Sequence, residues 1–315
     1  MRTWNPVGEK RPESLSAVSV SARNGTVDYA RFLGALGIVW FHSHAPFAWL
    51  GYAALPMFTA FVFFYALSGA GKRSFVEDVK HRAQRLLLPW LAWCAVYFAA
   101  KVADAMLRGA PLASEFEYWM LVVGPKIHLW FLPFVFVAGL AFTHVIVRVG
   151  NDALVNTACL VLFPVVQMAC FYLLTEGLLE RPFSQWVFVL PACFLGVLLH
   201  FARGDWDKQL LICGVTVGTY LVAEATGWNH GAEQLLIASG ACVLALIIHL
   251  PANGLSKTLA GISLGIYLIH PLLDAMLRRV LPVGPGEVAF AIAVIVASLL
   301  AILMMQRLPL FRRMV

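Results

Sequence analysis

Charge is scarce in this chain. Asp, Glu, Lys and Arg make up 13% of its 315 residues, against about 25% in soluble domains. Apolar residues reach 61% and the mean hydropathy is +0.79, which excludes an ordinary soluble domain and describes a protein that crosses a membrane many times. The sequence also lacks a polar run of roughly 60 residues that would make a separate soluble domain. Cysteine is sparse and unpatterned. Cys94, Cys159, Cys170, Cys193, Cys213 and Cys242 all sit in apolar runs without C-x-x-C spacing, so they are read as packing residues, with neither disulfides nor a metal site implied. The first 25 residues lack the apolar core and cleavage site of a signal peptide. They are polar, with Pro6, Pro12 and several serines, and are expected to form a flexible cytoplasmic tail ahead of one membrane domain over 26–315.

What the sequence does have is apolar runs of about 20 residues, the length a helix needs to cross the hydrocarbon. They are placed ten times: 28–50, 52–71, 87–107, 128–147, 153–174, 185–202, 209–226, 232–250, 258–277 and 287–306. The expected fold is an all-α polytopic bundle of about ten transmembrane helices, without an internal repeat. Its net charge of +6 is distributed between the apolar runs rather than on one face, which fits topology signals and not a nucleic-acid surface. With the N-terminus inside, 17 Lys and Arg residues fall on the inner side and six on the outer, so both termini are expected in the cytoplasm.

Within this apolar background a few ionisable groups need a reason. RFLGALGIVWFH carries Arg31 and His42 eleven residues apart. At ~1.5 Å and ~100° per residue they share one helix face about three turns apart. Ionisable side chains cost roughly 2.5–3.5 kcal/mol or more inside a bilayer, so they face a cavity or a partner. Asp28, three residues before Arg31, is placed to hold its guanidinium. In KRSFVEDVKHRAQRLLLPW, Arg82 and Arg85 are three apart and point the same way on a helix. Paired guanidinium forks suit a multiply charged phosphate ligand, and an interfacial helix drawn to anionic lipid has the same signature. Ser68, His128, Trp130, Tyr267 and His270 are further polar or aromatic placements at span ends, which serve equally as interface anchors.

Taken together these stretches resemble the acyltransferase-3 family of integral membrane acyltransferases. Arg31 and His42 match its R-x10-H pattern, FFYALSGA its FF…SG element and HRAQRLLLPW its R-x-x-R…P element. HLWFL and SLGIYLIHP match its HLWFL and S-x-x-x-YLIHP elements, all in the family's order from about residue 24 onward. GKR follows SGA where the family often has a bulkier aromatic after the glycine. No hydrolase-like domain follows the last span, which implies a stand-alone enzyme or one working with a separate extracytoplasmic partner protein.

The resemblance implies O-acylation, acetylation foremost, of a hydroxyl on an exported or envelope polysaccharide or its lipid-linked precursor, at the cell (inner) membrane. Acetyl-CoA or another acyl-CoA would be a co-substrate and no tightly bound cofactor is implied. On that reading Arg82 and Arg85 hold the charged end of the donor. His42 is the general base toward the acceptor hydroxyl, a role worth about 10²–10⁴ in rate, and Arg31 orients the donor. Ser68, His128, Trp130, Tyr267 and His270 are placed around the carbohydrate acceptor. Direct transfer and a transiently acylated enzyme use the same residues. A transporter or flippase with a polar pathway through Arg31 and His42 is the competing reading.

Overall fold

The computed structural model describes residues 23–308; nearly all of the tail expected over 1–25 lies outside that range. Among the described residues the regular secondary structure is helical. The first helix, α1 (Gly25–His42), starts where Asn24 caps it: the Asn24 side chain accepts the Thr26 amide and donates to the Ala245 carbonyl at 2.8 Å. It ends at His42 because His44 and Phe47 take φ of 55° and 58°, a left-handed backbone that cannot continue a right-handed helix. The span expected over 28–50 is therefore divided. The chain turns through α2 (Ala48–Tyr52) into α3 (Ala54–Ser68).

A Ser74–Glu77 capping box starts α4 (Phe75–Arg82), which passes through a π turn at Ala83–Leu87 into α5 (Leu88–Arg108). Pro89 has no N–H to offer the Arg85 carbonyl, and its ring crowds that oxygen. A widened turn, in which the Leu88 amide reaches back to the Ala83 carbonyl, relieves the conflict. A loop containing α6 (Met120–Val123) and a 3-10 turn at Ile127–Trp130 leads into α7 (Phe131–Val149). Then follow α8 (Asp152–Thr175), α9 (Phe183–Phe201), α10 (Trp206–Thr226), α11 (Ala232–Ile247), α12 (Gly254–Val280) and α13 (Val288–Arg307).

Among the described residues eight helical segments are long and apolar enough to cross a membrane. The remaining two of the ten expected are α1, which carries Asp28, Arg31 and His42, and α11. With 16 residues, α11 rises only about 24 Å, short of a hydrocarbon core of about 30 Å. Outward faces are apolar, with Val161, Leu221 and Leu300 at least 58% exposed, as lipid contact requires and water would penalise. In the interior α1 packs on α12 and α3 on α9. The second pair is so close that a Cβ on Gly196 would stand 2.3 Å from the Ala60 carbonyl oxygen.

Candidate functional site

At one end of the bundle α1, α3, α4, the π turn, α7 and α12 enclose a cavity of about 420 Å³, within the ~300–1,000 Å³ usual for small-molecule sites. Its polar end is lined by Arg31, Arg73, Asp78, His81, Arg82 and Arg85, and its walls are apolar, among them Phe58, Phe61, Val62, Phe131, Leu132 and Val135. Tyr267, midway along α12, also lines it.

The basic residues differ in how they are held. Arg82 Nε donates to Asp78 Oδ2 at 2.9 Å and Nη2 donates to Thr143 Oγ1 at 3.1 Å. The slot exists because Gly139 has no side chain: a Cβ there would meet Arg82 Nη1 at 2.7 Å. Arg31, Arg73 and Arg85 have no hydrogen-bond or ion-pair partner among the described residues. The expectation that Asp28 secures Arg31 is corrected. Asp28, 4% exposed, is taken by Arg23 through two bonds of 2.8 and 2.9 Å and also accepts from Ser256 Oγ at 3.4 Å. A carboxylate at the mouth of α1 is reached more readily by the side chain entering from before the helix. Arg31 is left free to face the cavity.

His42 is not among the cavity-lining residues. It belongs to a cluster at the far end of α1 in which its ring centroid lies 5.1 Å from that of His270, and His270 lies 5.9 Å from His128. His270 is fully buried and His128 is 5% exposed, whereas His42 is half-buried. Pro271 shapes this cluster. Lacking an N–H, it leaves the Tyr267 carbonyl without a helical partner, and His270 Nδ1 lies 2.8 Å from that oxygen. A carbonyl only accepts, so in the neutral ring Nδ1 carries the proton and Nε2 keeps a lone pair. His128 is the opposite tautomer: its Nε2 lies 3.3 Å from the Leu268 carbonyl and carries the proton, which leaves Nδ1 as the lone-pair nitrogen. Both lone-pair atoms, His128 Nδ1 and His270 Nε2, are buried without a partner among the described residues.

Two tyrosines fasten the cluster to α12. Tyr267 donates its hydroxyl to the His128 carbonyl, and Tyr97 donates to the Leu268 carbonyl at 2.7 Å while meeting the His128 ring edge-on at 4.9 Å. Tyr267 thus stands between the two regions, lining the cavity on one side and lying 5.8 and 6.1 Å from the His128 and His270 rings on the other.

Of the residues singled out in the sequence, Arg31, Arg82, Arg85 and Tyr267 come together at the cavity, and His42, His128 and His270 come together beyond it. Trp130 is buried against Phe131 and Phe134 outside the cavity lining. Ser68 accepts a bond from Arg203 at 2.9 Å near the basic end and does not line the cavity. The sequence reading missed Tyr97, Gly139 and Thr143. A tyrosine within a long apolar span was the one signal available for Tyr97; the others became visible only through packing. Among the described residues no group of His, Cys, Asp and Glu is placed to hold a metal.

No curated protein matches the chain, and no solved structure does. A family model described as an acyltransferase domain matches residues 24–307, the same stretch that builds the cavity and the histidine cluster, and the chain belongs to the acyltransferase-3 family.

Proposed function

We propose that this membrane acyltransferase moves an acyl group, acetyl foremost, from acyl-CoA at the basic end of the cavity to a hydroxyl of an exported or envelope carbohydrate. The observation that carries the reading is the order of the parts: free guanidinium groups at the polar end, apolar walls, and Tyr267 standing between the cavity and the histidine cluster. The phosphates of CoA suit Arg31, Arg73 and Arg85, with Arg82 fixed alongside by Asp78. The slender arm of the donor suits the apolar walls and brings the thioester toward Tyr267. His42, the most accessible of the three histidines, takes the proton of the acceptor hydroxyl as that oxygen attacks the thioester carbonyl. The C–S bond then breaks and the thiolate takes the proton back from His42.

On this reading the basic end faces the cytoplasm, where acyl-CoA is made, in the cell membrane with both termini inside. His128, Tyr267 and His270 serve the acceptor side, and the acceptor comes directly or through a separate extracytoplasmic protein. Ser68 and Trp130 support neighbouring helices rather than touching either substrate.

His42→Ala is expected to abolish transfer of labelled acetyl from acetyl-CoA while CoA binding by calorimetry stays within about threefold of wild type. His44→Ala, exposed and on a turned-away backbone, should keep most activity. Normal transfer by His42→Ala would sink the assignment. Wild-type protein that ignores CoA altogether would favour the transport reading.

A further inference from the structure

Histidine bases in soluble enzymes are commonly held by a carboxylate that stabilises the imidazolium they form. Here the ring neighbours of His42 are Phe41 and His270. The one acid of α12, Asp274, acts on His42 through space without bonding it, and its carboxylate is engaged by Arg278 through bonds of 2.6 and 3.1 Å. What the cluster offers instead is two neutral imidazoles, each with one nitrogen committed to a backbone carbonyl and the other left as a buried, unpartnered lone pair. An unpartnered buried acceptor costs about 1–3 kcal/mol. Two such atoms on neighbouring buried rings are placed to receive a positive charge or a proton donor.

Building on the acyl-transfer reading, we propose that His270, backed by His128, is a positioning residue that stabilises the imidazolium formed on His42. When His42 takes the acceptor proton, the neutral His270 ring stands 5.1 Å away with its Nε2 lone pair unpartnered, and His128 stands 5.9 Å beyond His270, in surroundings of low dielectric where fixed dipoles act strongly. His270 neither gives up its Nδ1 proton nor touches substrate. It returns unchanged once His42 hands its proton to the departing thiolate. Pro271 is part of the device, since the free Tyr267 carbonyl it creates is what fixes the His270 tautomer.

The test uses the full chain in detergent with acetyl-CoA and a carbohydrate acceptor fraction. His270→Asn keeps an amide N–H within reach of the Tyr267 carbonyl but has no atom in place of Nε2, whereas His270→Gln reaches the Nε2 position and forgoes the carbonyl bond. Expected are a fall in kcat on the order of 10²-fold for His270→Asn, with the KM for acetyl-CoA and the melting temperature nearly unchanged, and a smaller loss for His270→Gln. A kcat within threefold of wild type in His270→Asn overturns the inference. So does an Asn variant that behaves well beside a Gln variant that melts early, since that pattern marks a role only in satisfying the Tyr267 carbonyl. Wild-type protein without any transfer activity would sink the acyl-transfer reading and this inference with it, and is told apart by the wild-type assay alone.

Discussion

Gly139 matters for the atom it lacks. A Cβ at that position would lie 2.7 Å from Arg82 Nη1, and the guanidinium would have to leave Thr143 Oγ1 to make room. Gly139→Ala is therefore expected to weaken CoA binding several-fold with little loss of thermal stability, because the displaced atom ends a flexible side chain. The two arginines of the R-x-x-R pair should also differ. Arg85→Ala removes a free charge and is expected to raise the Kd for CoA about tenfold, near 1.4 kcal/mol. Arg82→Ala should cost more, since it also leaves the Asp78 carboxylate on the cavity lining with only His144 Nε2, 3.8 Å away, beside it. Calorimetry with CoA checks all three, and affinities unchanged from wild type would return these arginines to a lipid-anchoring role. The spacing of Arg82 and Arg85 revealed that they share a face. Their inequality was not legible, because it depends on Thr143, 61 residues along the chain from Arg82.

Proline and glycine act at the scale of whole helices. Pro89 and Pro271 each remove one helical hydrogen bond, one beside the π turn that presents Arg82 and Arg85 and the other beside His270. In the sequence both are plain helix-breaking signals, and their use at the site emerges only from the widened turn before Leu88 and from the new partner that the Tyr267 carbonyl finds in His270. Gly196 sets how near α9 lies to α3. Gly196→Ala would place its Cβ 2.3 Å from the Ala60 carbonyl oxygen and 2.8 Å from Phe63 Cβ, and neither neighbour is the end of a flexible chain. The helices must separate, at an overpacking cost of about 1–3 kcal/mol. Thermal unfolding in detergent should show a drop of several degrees. Gly218→Ala on α10, where a Cβ meets nothing within 4 Å, should leave the melting temperature unchanged or raise it, given alanine's helix preference of up to about 1 kcal/mol. Equal behaviour of the two variants would mean that the close α3–α9 contact is not a constraint.

Across the whole molecule the loops gather at two ends. Asn24 bridges to Pro251 and Arg203 reaches Ser68 at one end. At the other, the Gly286 amide donates to the Ser43 carbonyl at 2.8 Å and Tyr118 donates to Glu180 at 2.5 Å. This alternation was legible in the sequence because hydropathy is a local property; the largest displacement was the end of the first span, cut back from residue 50 to His42 by the left-handed residues His44 and Phe47, and α11 fell short of a full crossing. The cavity was not legible, since its walls come from helices far apart in the chain. The basic end carries Lys72, Arg73 and Arg203, while Glu115, Glu117, Glu176 and Glu180 gather at the opposite end. Lysine and arginine mark the cytoplasmic side of a membrane protein, so the cavity mouth is expected to open inward. The native cysteines are buried or half-buried, which keeps the background low for single cysteines placed in the loops. Lys72→Cys and Gly204→Cys should resist a membrane-impermeant maleimide in intact cells and react after permeabilisation, whereas Ser114→Cys and His230→Cys should react at once. Labelling of Lys72→Cys and Gly204→Cys in intact cells would put the guanidinium-lined mouth on the face that cytoplasmic acyl-CoA cannot reach, and the donor site would have to be sought elsewhere.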